Sequence, residues 1–416
     1  MKHISFYLSF LFFFILFFSI KLSFISFHPF ILFAALSFIY ILKKNTQQHF
    51  FFFKHLLVYI LSIYTLTIPS MLLNGGDIYY IYEALAVPVI CFFATFFVFC
   101  FSYPSFFKVE NLLPKLITWS LTLQSCITLL MYQNKKISDF FYTLISHSEL
   151  QEKKLEGVIE SSSRFIGFGI EFFGAAIVYS FGLMFIAWLY CHYKRSLYLL
   201  FFFFNSFIGL FLARTSIVGV ILGCIYIYIS KLRKSKSSLT IKYSLLFLII
   251  IISSIYIFKN DISYFILKQD PNSPTAWVLE PIKNFIETGE TSSKSTDVLL
   301  EMWKKTPDNI QTWLWGDGYF RKHSIKGGFS GYYKDIDVGY LRIIYSTGIF
   351  GLLAFLIIQY RMLNYAIKDT SIANMKLYFY IMFLLLLTKG FFSFTSQIFL
   401  IYFFQKNTKI CLKKLY

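Results

Sequence analysis

The sequence predicts an all-α polytopic integral membrane protein of about twelve transmembrane helices with one large loop. Three observations predict it. Hydrophobic residues make up 57% of the 416 and charged residues only 14%, which is more apolar surface than a soluble fold can hide. Apolar runs of membrane-spanning length recur along the chain. Between them Lys and Arg gather in short clusters that fall on alternate sides, as retention of basic residues in the cytoplasm requires.

The first run follows Met1-Lys2-His3 and reaches about residue 20. It has the look of a signal peptide, but Lys21 interrupts it and no small-x-small cleavage site follows, so it is read as an uncleaved first span. Spans two to five are expected at about 22–42, 56–73, 84–103 and 112–132, the second stopping at Lys43-Lys44 and the third at the turn Asn74-Gly75-Gly76-Asp77. A polar stretch, 133–163, follows, with a charged surface helix expected from His147 to Glu160. Spans six to nine are expected at about 165–190, 197–212, 216–230 and 243–258. Only Ala213-Arg214-Thr215 joins the seventh to the eighth, and the densest basic cluster, Lys231 to Lys236, closes the eighth.

Composition changes at Lys259. The next roughly eighty residues hold four of the nine prolines and four of the six tryptophans (Trp277, Trp303, Trp313, Trp315), and a loop of that length is usually functional. Ser295-Thr296-Asp297 marks a helix start inside it, with Pro307 beyond the end. Spans ten to twelve are expected at about 339–359, 377–387 and 391–404. The chain thus divides into spans one to nine (1–258), the large loop (259–338), and spans ten to twelve with a basic tail (339–416).

With the N-terminus inside, Lys43-Lys44, Lys108, Lys194-Arg195, the 231–236 cluster, Arg361 and the C-terminal lysines all lie in the cytoplasm. The same assignment puts Arg214, the large loop and Lys389 outside. That placement also disposes of nucleic acid as the reason for a net charge of +18. The 54 phenylalanines fit an AT-rich codon bias better than an aromatic function. The six cysteines show neither a disulfide framework nor a metal-ligand spacing.

Basic residues left outside are exceptions to the rule and therefore candidates. Arg164 opens the sixth span, and Glu171 lies seven residues on, close to two helical turns, so the two are expected on one helix face. An ionisable group at that depth is a functional candidate by default, although a structural ion pair would also explain it. Arg214 sits at the tip of a tight hairpin. Its planar fork suits phosphate oxygens, or it simply snorkels to the surface. Arg321 and Lys322 in the loop and Lys389 between the last spans are weaker candidates of the same kind.

His323 can serve as a base near neutral pH. Asp335 and Asp337 sit where the loop returns to the membrane and could orient or deprotonate a hydroxyl, or merely cap the tenth span. The loop tryptophans suit sugar stacking or interface anchoring. No P-loop, paired-Cys metal site or Gly-x-Ser-x-Gly elbow is present in the sequence. No metal or cofactor is therefore expected, and the substrate itself must carry the energy.

Three ordered stretches carry a family resemblance. They are Arg164-x-x-Gly167-x-x-x-Glu171; Ala213-Arg214-Thr215-Ser216; and Gly316-x-Gly318 with Asp337-x-Gly339-Tyr340-Leu341 and Gly348-Ile349-x-Gly351. Together they resemble the bacterial O-antigen polymerases (Wzy type), within the wider polymerase/ligase group of GT-C-like membrane glycosyltransferases. Phe172 replaces the Pro common after the Glu, and Ala213 replaces a usual Ser. Asp337 stands about where ligases carry paired histidines, which favours polymerase over ligase.

The resemblance implies an inner-membrane enzyme working at the periplasmic face. It would join oligosaccharide units carried on undecaprenyl pyrophosphate, with a chain-length regulator protein as the implied partner, besides membrane lipid. Arg164, Arg214, Arg321 and Lys389 would bind pyrophosphate, and Glu171, Asp337 or His323 would act on the hydroxyl. An O-antigen ligase or a lipid-linked oligosaccharide flippase are the alternatives. A flippase would hold its charges near the midplane within internal repeats, whereas here they gather at one face.

Overall fold

A computed structural model of the chain describes residues 2–25, 27–43, 78–106, 109–146, 164–170, 172–234, 266–270, 273–290, 293–323 and 329–407, with Tyr264 and scattered positions between 54 and 74. In chain order the helices are α1 (Lys2–Phe18), α2 (Pro29–Lys43), α3 (Ile78–Phe106), α4 (Leu112–Gln133), α5 (Lys135–Thr143), α6 (Phe172–Tyr193), α7 (Ser196–Leu212) and α8 (Ile217–Lys234). Then come α9 (Pro274–Thr288), α10 (Lys294–Lys304), α11 (Ile310–Trp315), the strands β1 (Arg321–His323) and β2 (Phe329–Tyr332), α12 (Gly339–Ile367), α13 (Lys376–Leu387) and α14 (Thr395–Ile401).

The architecture is that of an all-α membrane protein. Among the described residues, three helices are long and apolar enough to cross a membrane: Phe172–Tyr193, Arg214–Leu232 and Gly339–Ile367. Shorter apolar helices include Ser5–Phe18, Pro29–Tyr40, Ala86–Ser102, Ser196–Leu212 and Ala373–Leu387. The count of twelve is an expectation that these helices do not reach. The ninth span, at 243–258, and the charged helix at 147–160 lie outside the described residues.

Two expectations change. The sixth span does not begin at Phe165: residues 164–170 form a turn closed by a bridge between Gly167 and Ile170, and α6 starts only at Phe172. Gly169 turns the chain there at φ +70°. Arg164 is therefore not on a helix, and the two-turn spacing to Glu171 does not apply. The large loop is also more ordered than one helix. It holds α9, α10, α11 and a hairpin pairing Arg321 with Tyr332, Lys322 with Gly331 and, across a bulge, His323 with Phe329.

The chain folds as two compact units. One comprises Met1–Ser19, Ile25–Leu116 and Val298–Tyr416. Its interior is built largely from phenylalanine: Phe13 meets Phe404 edge-on at 5.3 Å, and Phe92 meets Phe399 likewise at 5.4 Å. Between helices in lipid, burial gains nothing from water. Aromatic geometry and close contact carry the association instead, at ~0.5–1.5 kcal/mol per pair. Codon bias does not exhaust the role of these residues.

The other unit comprises Ile20–Phe24 and Ile117–Asp297. Its helices are joined by polar groups and small residues. Ser125 donates to Asn205 Oδ1 at 2.8 Å and shares a hydrogen bond with the Tyr179 hydroxyl at 3.0 Å. Asn205 Nδ2 donates to Thr122 Oγ1 at 3.1 Å, so one buried asparagine ties α7 to α4. On α8, a Cβ at Gly219 would lie 2.9 Å from Ser180 O, so α8 can approach α6 only through a glycine.

Candidate active site

The arginines singled out in the second unit come together on one tryptophan. At the end of α7, Ala213 is extended (φ −156°, ψ 111°), which stops the helix and turns the chain into a short 3₁₀ segment, Arg214–Ser216. Nearby, the Phe165 amide donates to Phe211 O at 3.2 Å and the two rings stack at 4.9 Å, fixing the segment that carries Arg164. α9 starts where Ser273 accepts from the Ala276 amide and Pro274 takes the first turn, and it stops at left-handed Gly289. Trp277 and Glu280, three residues apart, consequently share a face of α9.

The guanidinium of Arg214 lies 4.6 Å from the Trp277 ring centroid, and that of Arg164 lies 5.6 Å from it. Arg164 also covers the Phe172 ring at 3.8 Å. Arg214 donates to Glu280 at 2.9 Å and to Ser295 Oγ at 3.1 Å. Two like charges on one indole are held together by its π face and by that carboxylate. Beside them, Arg164, Phe165, Gly167, Ile170, Phe172 and Leu212 line a small cleft with room for about one water molecule. Of the two arginines, Arg164 alone lines it, among apolar side chains.

In the first unit the return of the loop builds a second cluster. Asp337 pairs with Arg342 at 3.7 Å. Arg342 is 6% exposed, and its guanidinium stands 3.8 Å from the Tyr332 ring, 4.1 Å from Phe320 and 5.4 Å from Phe391. Asp337 does not cap α12. The cap position is Val338 and receives no side-chain hydrogen bond. The carboxylate therefore faces an arginine, and its own amide donates to the Met302 sulfur.

Asp335, its neighbour, makes an exposed pair with Lys322 at 3.8 Å. Lys334 and Asp335 both adopt left-handed backbone, uncommon outside glycine. Lys334 reaches Asp317 at 3.8 Å, and Asp317 also accepts from Thr312 and from the Tyr333 hydroxyl at 3.1 Å. Burial first, and then the Asp317 carboxylate, push the Tyr333 phenol up to about 12. It stays a donor at neutral pH.

Arg321 is half-buried in β1. His323 ends the same strand, and of it only the backbone is described. Lys389 lies in the turn after α13, with its amide on Leu386 O at 3.0 Å. That turn packs on the start of α12, because a Cβ at Gly339 would lie 2.7 Å from Gly390 O. Glu171 lies outside the described residues. Among the described residues no group of His, Cys, Asp and Glu is arranged to hold a metal ion.

Two functional candidates escape the sequence reading. Glu280 reads as one more solvated loop charge, and nothing in its neighbourhood singles it out. Arg342 carries the signal already used for Arg214, an arginine at the outer end of an apolar run. It is hidden there beside the Asp-x-Gly-Tyr-Leu stretch. No curated protein and no solved structure matches the chain. Residues 199–356, which include Arg214, Trp277, Glu280, Asp337 and Arg342 but cover less than half of the chain, match the O-antigen ligase family model, and this similarity supports a place in the O-antigen polymerase/ligase group.

Proposed function

We propose that this protein polymerises undecaprenyl-pyrophosphate-linked O-antigen repeat units at the periplasmic face of the inner membrane. The growing glycan on one lipid is the donor. The terminal sugar hydroxyl of a second lipid-linked unit attacks the donor's anomeric carbon, the bond from that carbon to the pyrophosphate oxygen breaks, and undecaprenyl pyrophosphate leaves. The hydroxyl proton goes to a carboxylate, for which Asp337 is our candidate among the described residues.

The observation that carries the reading is the pair of arginines on Trp277. Arg214 already holds one anion, the Glu280 carboxylate, through one guanidinium nitrogen, while the other donates to Ser295 Oγ. Fixed guanidinium donors are suited to the charge that develops on a departing pyrophosphate, and bidentate contact is what arginine offers over lysine. The test is polymer formation from purified lipid-linked repeat units at equal protein level. Arg214→Lys keeps the charge and loses the fork, so product is expected to fall ~10-fold or more. Undiminished polymer from Arg214→Ala removes the phosphate role.

The ligase is the second reading, favoured by the description of the matching family. The two differ in acceptor. A lipid-linked repeat unit supports only polymerisation, whereas transfer confined to a lipid A–core acceptor would make the enzyme a ligase.

A further inference from the structure

Tyr332 and Asp337 meet one arginine from the two ends of a turn. The Tyr332 ring, at the end of β2, stands 3.8 Å from the Arg342 guanidinium, and Asp337 pairs with the same guanidinium at 3.7 Å. The reversal between them brings both to one point. The Ile336 amide donates to Tyr333 O at 3.2 Å, closing a turn with Lys334 and Asp335 at its centre. Both central residues are left-handed, Lys334 at φ 53° and Asp335 at φ 56°.

A turn with φ > 0 at both centres is made most easily by Asn-Gly or Asp-Gly. A Cβ in that region crowds its own backbone, and such strain persists where the neighbours over-determine the conformation. Burial does not offset it here, since Lys334 and Asp335 are both exposed. The contacts of Lys334 do. Its ammonium stands 4.4 Å from the Tyr345 ring centroid and 3.8 Å from Asp317. Asp317 also accepts from the Tyr333 hydroxyl at 3.1 Å and from the Thr312 hydroxyl. Two successive residues of the turn, Tyr333 and Lys334, are thus tied to one carboxylate. Asp317 is itself fixed through its amide, which donates to Tyr345 O at 2.6 Å.

The turn delivers the three residues that follow it. Ile336 is extended (φ −103°, ψ 121°), and successive side chains of an extended chain point to opposite sides. Ile336 and Val338 are fully buried, in a cluster with Leu341, Ile344 and Tyr345. Asp337 between them is turned the other way, onto Arg342. A change of φ at Asp335 would swing all three relative to β2 and part Asp337 from the guanidinium that Tyr332 covers.

We propose that the left-handed turn at Lys334–Asp335 is a positioning device for Asp337, and that Lys334 and Asp317 are the positioning residues that hold it. The inference rests on the reading of Asp337 as the carboxylate that takes the hydroxyl proton. A reacting group displaced by about an ångström loses rate rather than binding.

The test measures kcat and KM for polymer formation from purified lipid-linked repeat units, at equal folded protein. Asp335→Gly and Asp335→Val both delete the carboxylate and its exposed pair with Lys322, so whatever that side chain does is lost from both. They differ in that glycine accepts positive φ readily and a β-branched residue does not. The glycine variant should exceed the valine variant in kcat by ~10-fold or more at equal KM. In an Asp337→Asn background the ratio should shrink to about one, because the turn acts through that carboxylate. Equal kcat of the two variants overturns the proposal, and so does a ratio that Asp337→Asn leaves undiminished. Should Asp335→Val fail to fold, Asp317→Asn takes its place. It keeps an acceptor for Thr312 and Tyr333 and drops the charge facing Lys334, and kcat should fall in the wild-type background alone. A wild-type kcat for Asp317→Asn, or a further loss on top of Asp337→Asn, overturns the proposal as well. Wild-type kcat in Asp337→Asn by itself would remove the carboxylate reading instead, which keeps the two failures apart.

Discussion

Asp337 and Arg342 show at the scale of single residues what the sequence could and could not disclose. The position of Asp337 is legible, because a Gly-rich polar loop gives way there to an apolar helix within a few residues. Its partner is not, because a salt bridge between residues five apart across a helix start follows no helical spacing. The capping account predicts tolerance of Asp337→Asn, with a loss of ~1 kcal/mol or less. The cap position is held by Val338, not by Asp337. Asp337→Asn is expected to leave insertion and thermal stability unchanged and to cut polymer synthesis ~10²–10⁴-fold, the range for a lost general base. Arg342→Met fills a similar volume among Phe320, Tyr332 and Phe391. The Asp337 side chain is 43% exposed, so losing Arg342 leaves no buried unpaired carboxylate, the costly outcome of breaking such a pair. Folding should survive, then, and rate should drop with it. Wild-type rate in Arg342→Met would reduce the pair to a structural contact.

Among the elements, the limits of legibility have different causes. The tight junction between α7 and α8 is readable from Ala213-Arg214-Thr215, and the structure breaks the chain there. The start of α6 is misread because residues 165–170 are apolar enough to extend a span, and only the left-handed Gly169 reveals the turn. α9 carries its own signals, Ser273-Pro274 at one end and Gly289 at the other, but they are obscured by the long polar setting. Buried polar side chains are the least legible, since Asn205 inside seventeen residues of α7 gives no hint of a partner on another helix. Asn205→Leu removes the bonds to Thr122 and Ser125 and leaves the Tyr179 hydroxyl with Ser125. Interhelical bonds of this kind are worth ~0.6 and up to ~2 kcal/mol. A lowered unfolding midpoint in detergent of that size, with insertion intact, is expected. An unchanged midpoint would mean that close packing at Gly219 and Gly209 holds these helices without the network.

For the whole molecule the decisive quantity is orientation, since every residue proposed to meet a lipid-linked sugar must lie on the side where that sugar is presented. Among the described residues, length and composition mark three helices as able to span. The distribution of charge is the stronger guide. The six residues from Lys231 to Lys236 hold four Lys or Arg at and beyond the end of α8, and such a cluster within a turn of a span's end resists translocation. The segment from Lys259 to Val338 must then emerge on the opposite side if one span separates them. A reporter active only in the periplasm should be silent when fused at Lys234 and active when fused at Asn272 and at Ser330. Activity at Lys234 with silence at the other two reverses the protein. It would place Arg214, Asp337 and Arg342 in the cytoplasm and end the polymerase reading. Activity at all three would instead remove the span expected at 243–258, leaving α8 as the last crossing before the loop and an odd number of crossings to be found elsewhere.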